Sequence, residues 1–325
     1  MIPDFSVVLL TVASGAGYGM LAWLGVLNAL RLVPASPWFG IAAICVALAL
    51  ATIGLLASTL HLGHPERAWR SISQWRTSWL SREGVMALLT YLPALGFAAA
   101  WGFAGPDSGA AVVLGLLAAL CALGTVCCQA MIYYTLRPIR QWHHRLVLPS
   151  LLLFALFTGA VWLAAGVAWA DAGAANLITV IAVVLAVGGG VLKLAYWRDI
   201  DAAPPVATIE SATGLGSLGQ VRMLESPHTE ENYLLREMGY AIARKHAARL
   251  RTIALAVGFI APVVLLLVGA LLAASAGPAL LVVAALAAIL GIYVERWLFF
   301  AQATHTVTLY YGRRDAPVGS QGLRP

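Results

Sequence analysis

Long apolar runs alternate with short polar connections along this chain, and the alternation repeats eight times. The runs cover approximately residues 5 to 30, 38 to 62, 83 to 104, 109 to 135, 147 to 170, 174 to 196, 251 to 274 and 279 to 303. Each is long enough to cross roughly 30 Å of hydrocarbon at about 1.5 Å per residue. In that setting an unbroken apolar run must satisfy its backbone groups internally, so each run predicts a helix, and the two-residue alternation of barrel strands is missing. The pattern therefore predicts an all-α integral membrane protein with eight transmembrane helices in a polytopic bundle.

Composition agrees: 61% of the 325 residues are hydrophobic and 10% are charged, too little polar surface to coat a water-soluble globule. Met1 to Asp4 lacks a basic n-region and no twin-arginine pattern is present, so no cleavable leader is expected. Cys45, Cys121, Cys127 and Cys128 fall inside predicted spans without metal-ligand spacing and are expected to be buried thiols.

The basic residues fix an orientation. With eight spans, both termini and the 63 to 82, 136 to 146 and 197 to 250 connections share one side. Of twenty Lys and Arg residues, Arg31 alone falls on the other side. The positive-inside rule makes the shared side cytoplasmic, in a bacterial inner membrane. The pI near 9.4 is then a topology signal, and nucleic acid is not an expected partner.

Residues 197 to 250 form the one long polar insertion, with six basic and seven acidic residues. That near-balance favours a protein-docking surface over a polybasic lipid patch. Its first half, DAAPPVATIESATGLGSLGQ, reads as an irregular loop. Its second half predicts a cytoplasmic helix: Thr229 is the N-cap, Glu230 and Glu231 lie in the first turn, and Arg244, Lys245 and Arg249 lie near its end. Gly214, Gly216 and Gly219 match G-x-G-x-x-G, but no βαβ unit fits between two membrane helices, so the match is expected to be a loop coincidence. The expected organisation is residues 1–196 for six spans with a site loop at 61–84, 197–250 for the docking insertion, 251–304 for the last two spans, and 305–325 for a cytoplasmic tail.

Candidate chemistry concentrates in HLGHPERAWRSISQWRTSWLSREG, residues 61 to 84, which holds two histidines, four arginines, two glutamates and three tryptophans. Most of the arginines, with Trp69 and Trp75, suit interfacial anchoring. His61 and Glu83 stand at span boundaries, where an ionisable group facing other helices marks a substrate or proton path. A lipid-soluble quinone needs hydrogen-bond partners for its carbonyl oxygens and a group that exchanges protons near neutrality. His61 can bond and relay, Arg67 can stabilise anionic charge on the ring, and Ser81 with Glu83 can complete a path to water. His61, His64, His143, His144, His228, His246 and His305 all lie in loops or at helix ends, so no mid-membrane pair is available for a haem. No cysteine spacing fits an iron–sulfur cluster. Electrons would then be exchanged with a docked partner.

HLGHPERAWR followed by SWLSREG resembles the HLG-x-P-x-R-A and S-x-L-S-x-E pattern of the anchor subunits of DMSO reductase-type molybdoenzymes. The stretches TGLGSLGQVRMLESPHTEENYLLREMGYAIARKHAARLR and ERWLFFAQATHTVTLYYG look like the branch found with cytoplasmic, quinone-linked sulfite dehydrogenases. The resemblance implies an anchor that holds a molybdopterin catalytic subunit and an iron–sulfur subunit on the cytoplasmic face. The anchor would pass electrons from sulfite oxidation to ubiquinone or menaquinone. It implies a quinone site at His61, with Gly63, Arg67 and Glu83 at its neighbouring positions; His64, Trp79 and Ser81 complete the candidate site, in which His61 and Glu83 are expected to act on the ligand. Two further readings stay open at this point, a quinol-oxidising anchor of a DMSO or polysulfide reductase and a purely structural anchor. A secondary transporter is disfavoured by the absence of paired broken helices. Glu295, Arg296 and Lys193 read as snorkelling or interhelically paired residues. Tyr133, Tyr134, Arg137 and Arg140 could line either the quinone site or the docking face.

The orientation is testable in a background without native cysteines. A membrane-impermeant maleimide applied to intact cells should label Asp107→Cys and leave Gln74→Cys untouched until the cells are broken; the reverse pattern inverts the topology.

Overall fold

The computed structural model describes residues 3–204, 207–222, 224–225 and 246–311. Eight helices in it are long and apolar enough to cross a membrane: Phe5–Ala29, Pro37–His61, Trp79–Ala104, Gly109–Tyr134, Val147–Ala170, Gly173–Ala202, Ala247–Leu272 and Ala276–Ala301. The predicted eight-span plan is what the chain adopts. The predicted helix opening at Thr229, with Glu230, Glu231, Arg244 and Lys245, lies outside the described residues.

The first span is the hub. In its most apolar window 83% of residues are buried, against 28% in the third and seventh spans. Its small residues look outward in several directions, and each meets a different neighbour. A Cβ at Gly19 would strike the Ala155 carbonyl of the fifth span, one at Gly17 would strike the second span at Ala47 and Ala51, and one at Gly25 would strike the fourth at Gly115. Without a hydrophobic force between helices in lipid, such close backbone approach is what van der Waals packing needs. The peripheral helices instead present large apolar side chains outward, such as Leu92, Val184 and Leu271.

The last two spans, Ala247–Leu272 and Ala276–Ala301, form an antiparallel hairpin. Gly258 meets Gly291 backbone to backbone, and Gly269 meets Gly277 near the turn. A π-helical segment at Ala256–Ile260 carries Gly258 into that contact, and a second one, at Leu10–Ser14, lies where the first span meets the second. The first span ends in a Schellman closure, Leu32 N–H to the Leu27 carbonyl at 2.9 Å and Arg31 N–H to Asn28 at 2.9 Å. Arg31 occupies the left-handed position there, with φ 57°, and pairs with Asp107 at 3.5 Å.

Several boundaries differ from the sequence reading. The third span starts at Trp79 rather than 83, because Ser78 caps it by accepting from Ser81 N–H, so Glu83 lies inside the helix rather than at its mouth. The sixth continues to Ala202, so Lys193 does not end it. The loop after the second span is partly ordered as a 3₁₀ helix over Pro65–Ile72. The first half of the insertion carries a short helix, Ile209–Thr213, closed by a Thr208/Ser211 capping box. Gly214 ends it at φ 71°, a turn role with no strand before it among the described residues. Of the four free thiols only Cys128 is buried; Cys45 faces outward from the bundle.

Gly291→Val should lower stability by about 3 kcal/mol, the upper end of ordinary overpacking, since the neighbour is backbone and cannot rotate away. Gly109→Ala, which meets open space, should change it by less than about 0.5 kcal/mol. Unfolding midpoints of the detergent-purified protein decide between them.

Candidate functional site

The 61 to 84 stretch folds back over the start of the third span. Ser81, buried, donates from its hydroxyl to the Ser71 carbonyl, and Ile72 packs over Gly84. Arg82 turns outward, donates to the Trp75 and Arg76 carbonyls at 3.0 and 2.7 Å, and lays its guanidinium over the Trp79 ring at 4.2 Å. The arrangement pins the loop to the helix and points Glu83 inward.

Glu83 is 5% exposed, and its Oε1 accepts from Gln129 Nε2 of the fourth span at 2.8 Å. Tyr18 of the first span lies within electrostatic reach of Glu83 and of Tyr91, and its buried hydroxyl lacks a partner among the described residues. Tyr91 shares a 2.6 Å hydrogen bond with Thr52 of the second span. Polar groups of the first, third and fourth spans thus meet near one carboxylate, and the Thr52–Tyr91 pair lies about two turns further along the third span.

His61 is exposed at the end of the second span, and its Nδ1 lies 3.1 Å from the Ser6 hydroxyl. Hydrogen bonds from Ser6 hold the Asp4 carboxyl below the usual range, and the nearby His61 adds to the effect. The other sequence-predicted residues sit farther out. His64 and Arg67 are exposed and both face Glu66, at 3.0 and 3.7 Å. A Cβ at Gly63 would meet open space. The candidate site residues therefore divide into a buried part, Ser81 and Glu83, a rim part, His61 and Trp79, and an exposed part, Gly63, His64 and Arg67.

A second polar cluster is buried beside the first. Lys193 of the sixth span, 1% exposed, forms a salt bridge with Glu295 of the eighth, 0% exposed, and Arg296 Nε donates to Glu295 Oε2 at 2.5 Å. These side chains do not snorkel; the interhelical pairing expected of them is what holds Lys193 and Glu295. Aromatic rings close the cluster: Tyr196 lies 4.0 Å from the Lys193 ammonium, and Phe299 and Phe154 lie 4.7 and 5.3 Å from the Arg296 guanidinium. Arg296 and Gln129 line the same cavity, about 20 Å³, together with Thr11 and Thr158. That space is large enough for one water molecule and far too small for a quinone ring.

At the surface beyond Lys193, His144 meets the Tyr196 ring edge-on at 5.3 Å and lies 3.7 Å from Asp199. Burial pushes its imidazole below the usual range against the pull of Asp199. Tyr133 packs in the core against Trp142, Phe299 and Phe300, whereas Tyr134 meets His143 with the rings tilted at 35°. Arg140 donates to the Pro204 carbonyl. Gln129, Tyr18 and Tyr91 escaped the sequence reading because a neutral polar residue in an apolar run carries no signal of its own. No group of three or more metal-ligating side chains is found among the described residues.

An all-helical bundle with polar clusters sunk below one face is a polytopic membrane protein, here with its chemistry gathered near the side that carries the long loops. The chain belongs to the DMSO reductase anchor subunit (DmsC) family, whose model matches residues 2–312. It is also 33% identical to a sulfite dehydrogenase subunit of Allochromatium vinosum, over 96% of this chain and 99% of that protein. Membership implies association with catalytic and iron–sulfur subunits.

The buried pairing gives an ordered set of stabilities. Glu295→Gln leaves Lys193 and Arg296 as unpaired like charges and should cost about 3–5 kcal/mol. Lys193→Met leaves a neutral Glu295/Arg296 pair and should cost less than half as much. The double variant K193M/E295Q restores the net charge of the cluster and should be more stable than Glu295→Gln alone. A double-mutant cycle on unfolding midpoints reads the order.

Proposed function

We propose that this chain is the quinone-reactive anchor of a sulfite-oxidising molybdopterin/iron–sulfur complex on the cytoplasmic face, passing the electrons to the quinone pool. The observation that carries the reading is the Tyr18 hydroxyl, buried without a partner among the described residues and within electrostatic reach of Glu83, a buried carboxylate held on one oxygen by Gln129. Such a pair fits a ligand bearing carbonyl oxygens, because buried polar groups without partners are costly unless something supplies the missing bond. His61 stands at the rim with one ring nitrogen on Ser6 and the other available. The name of the Allochromatium relative supports sulfite as the donor substrate, and the basic loops support the cytoplasmic side.

Within this reading a quinone, when bound, supplies a two-electron acceptor whose carbonyl oxygens need protons. Glu83 and Tyr18 bind and orient those oxygens, and Glu83 holds a proton at its carboxyl. Ser81 and the folded-back loop keep bulk water from the carboxylate. His61 exchanges protons with the aqueous side. The chain itself carries no sulfite chemistry, which belongs to the molybdenum subunit.

In membranes holding the assembled complex, His61→Ala and Glu83→Gln should each cut sulfite-dependent quinone reduction at least about tenfold, within the ordinary range for a positioned proton-transfer group. Sulfite oxidation with an artificial dye acceptor should be unaffected. Full quinone turnover in both variants overturns the site and leaves a structural anchor. Dye-linked oxidation of another substrate, with none of sulfite, overturns only the choice of donor.

A further inference from the structure

The two buried clusters share a depth. Glu83 lies about a turn inside the start of the third span, Gln129 a little over a turn from the end of the fourth, and Glu295 and Arg296 under two turns from the end of the eighth, all at the loop-bearing side. Lys193 lies deeper along the sixth span, which extends further at that end. The Glu83–Gln129 hydrogen bond, the water-sized cavity lined by Gln129 and Arg296, the Arg296–Glu295 hydrogen bond and the Glu295–Lys193 salt bridge follow one another across the bundle. Beyond Lys193 come Tyr196 and the partly exposed pair His144 and Asp199. Three charges sunk in a membrane bundle are costly, and burying them for packing alone would be better served by apolar residues.

We propose that Gln129, the cavity, Glu295 and Lys193 form a lateral proton route joining Glu83 to the surface at His144 and Asp199. The inference rests on the quinone-site reading. Reduction of one quinone to quinol takes two electrons from the partner's iron–sulfur cluster and two protons from water. For each proton, an O–H bond breaks at Glu83 as one forms on the ligand. The Lys193 ammonium passes a proton to the Glu295 carboxylate and recovers one from the aqueous side. Glu295, then neutral, passes that proton to a water entering beside Arg296, its neighbour in the lining of the cavity, and the protonated water gives it up to Glu83 at the Gln129 end. Arg296 stays charged throughout; it positions Glu295 and balances its charge.

The test is single-turnover quinone reduction by the purified complex, its clusters reduced chemically and the excess reductant removed. K193M/E295Q keeps the cluster's net charge, and Thr158→Leu fills the cavity while leaving the ion pairs in place. Both should slow quinol formation at least tenfold. Proton uptake from the medium, followed with an indicator dye, should slow equally, and azide, a small diffusible acid, should restore both rates. Unchanged rates in the assembled variants overturn the route, as does slowing that azide does not relieve. Should K193M/E295Q fail to assemble, Thr158→Leu decides alone. His61→Ala and Glu83→Gln run alongside: if they too leave the rate unchanged, the quinone site itself is wrong, whereas a loss confined to them removes only the route.

Discussion

Glu295 is held, fully buried, between an ammonium and a guanidinium, and the register of the bundle depends on that arrangement. Removing such ions from water costs several kcal/mol each, and the cost is offset only if the partners meet in good geometry. Lys193 and Glu295 therefore set the relative depth of the sixth and eighth spans. The Phe154 and Phe299 rings around Arg296 tie the fifth span to the same level. The seventh follows through the Gly258–Gly291 crossing, where two backbones touch.

The other half of the bundle obeys the same constraint with neutral groups. Thr52 and Tyr91 link the second and third spans, Thr90 and Thr125 link the third and fourth at 3.2 Å, and Glu83 and Gln129 link them again. A polar side chain in hydrocarbon needs a partner from another helix or from its own backbone, so each pair acts as a register pin. Pins of this kind leave few alternative packings, which is why the carboxylate of Glu83 has a defined direction at all.

The spans were legible because length and apolarity alone decide them. Their ends were less so. Reading the third span from Glu83 treated a charge as a boundary, yet Ser78 supplies the cap and Arg82 folds outward over Trp79, letting the helix begin a turn sooner. Lys193 was misplaced for the same reason: its partner lies about a hundred residues further on, and nothing near it in sequence announces that partner. The motif residues were found, but the sequence treats them as equals, whereas the fold sorts them into a buried carboxylate, a rim imidazole and solvent-facing neighbours. Tyr18 and Gln129 carry no local mark, since their importance comes wholly from what the other helices bring near them.

The centrality of the first span has a consequence for biogenesis. A chain made from its N-terminus delivers that helix to the membrane before any of the others. Its glycine-lined faces are shaped for helices that are translated much later, the fourth and fifth among them. Until those arrive, the segment that ends as the most enclosed part of the molecule is bathed in lipid on every side. Its maturation is thus a matter of waiting, and the insertion machinery must tolerate an unpaired hub for most of the time the ribosome takes to finish the protein.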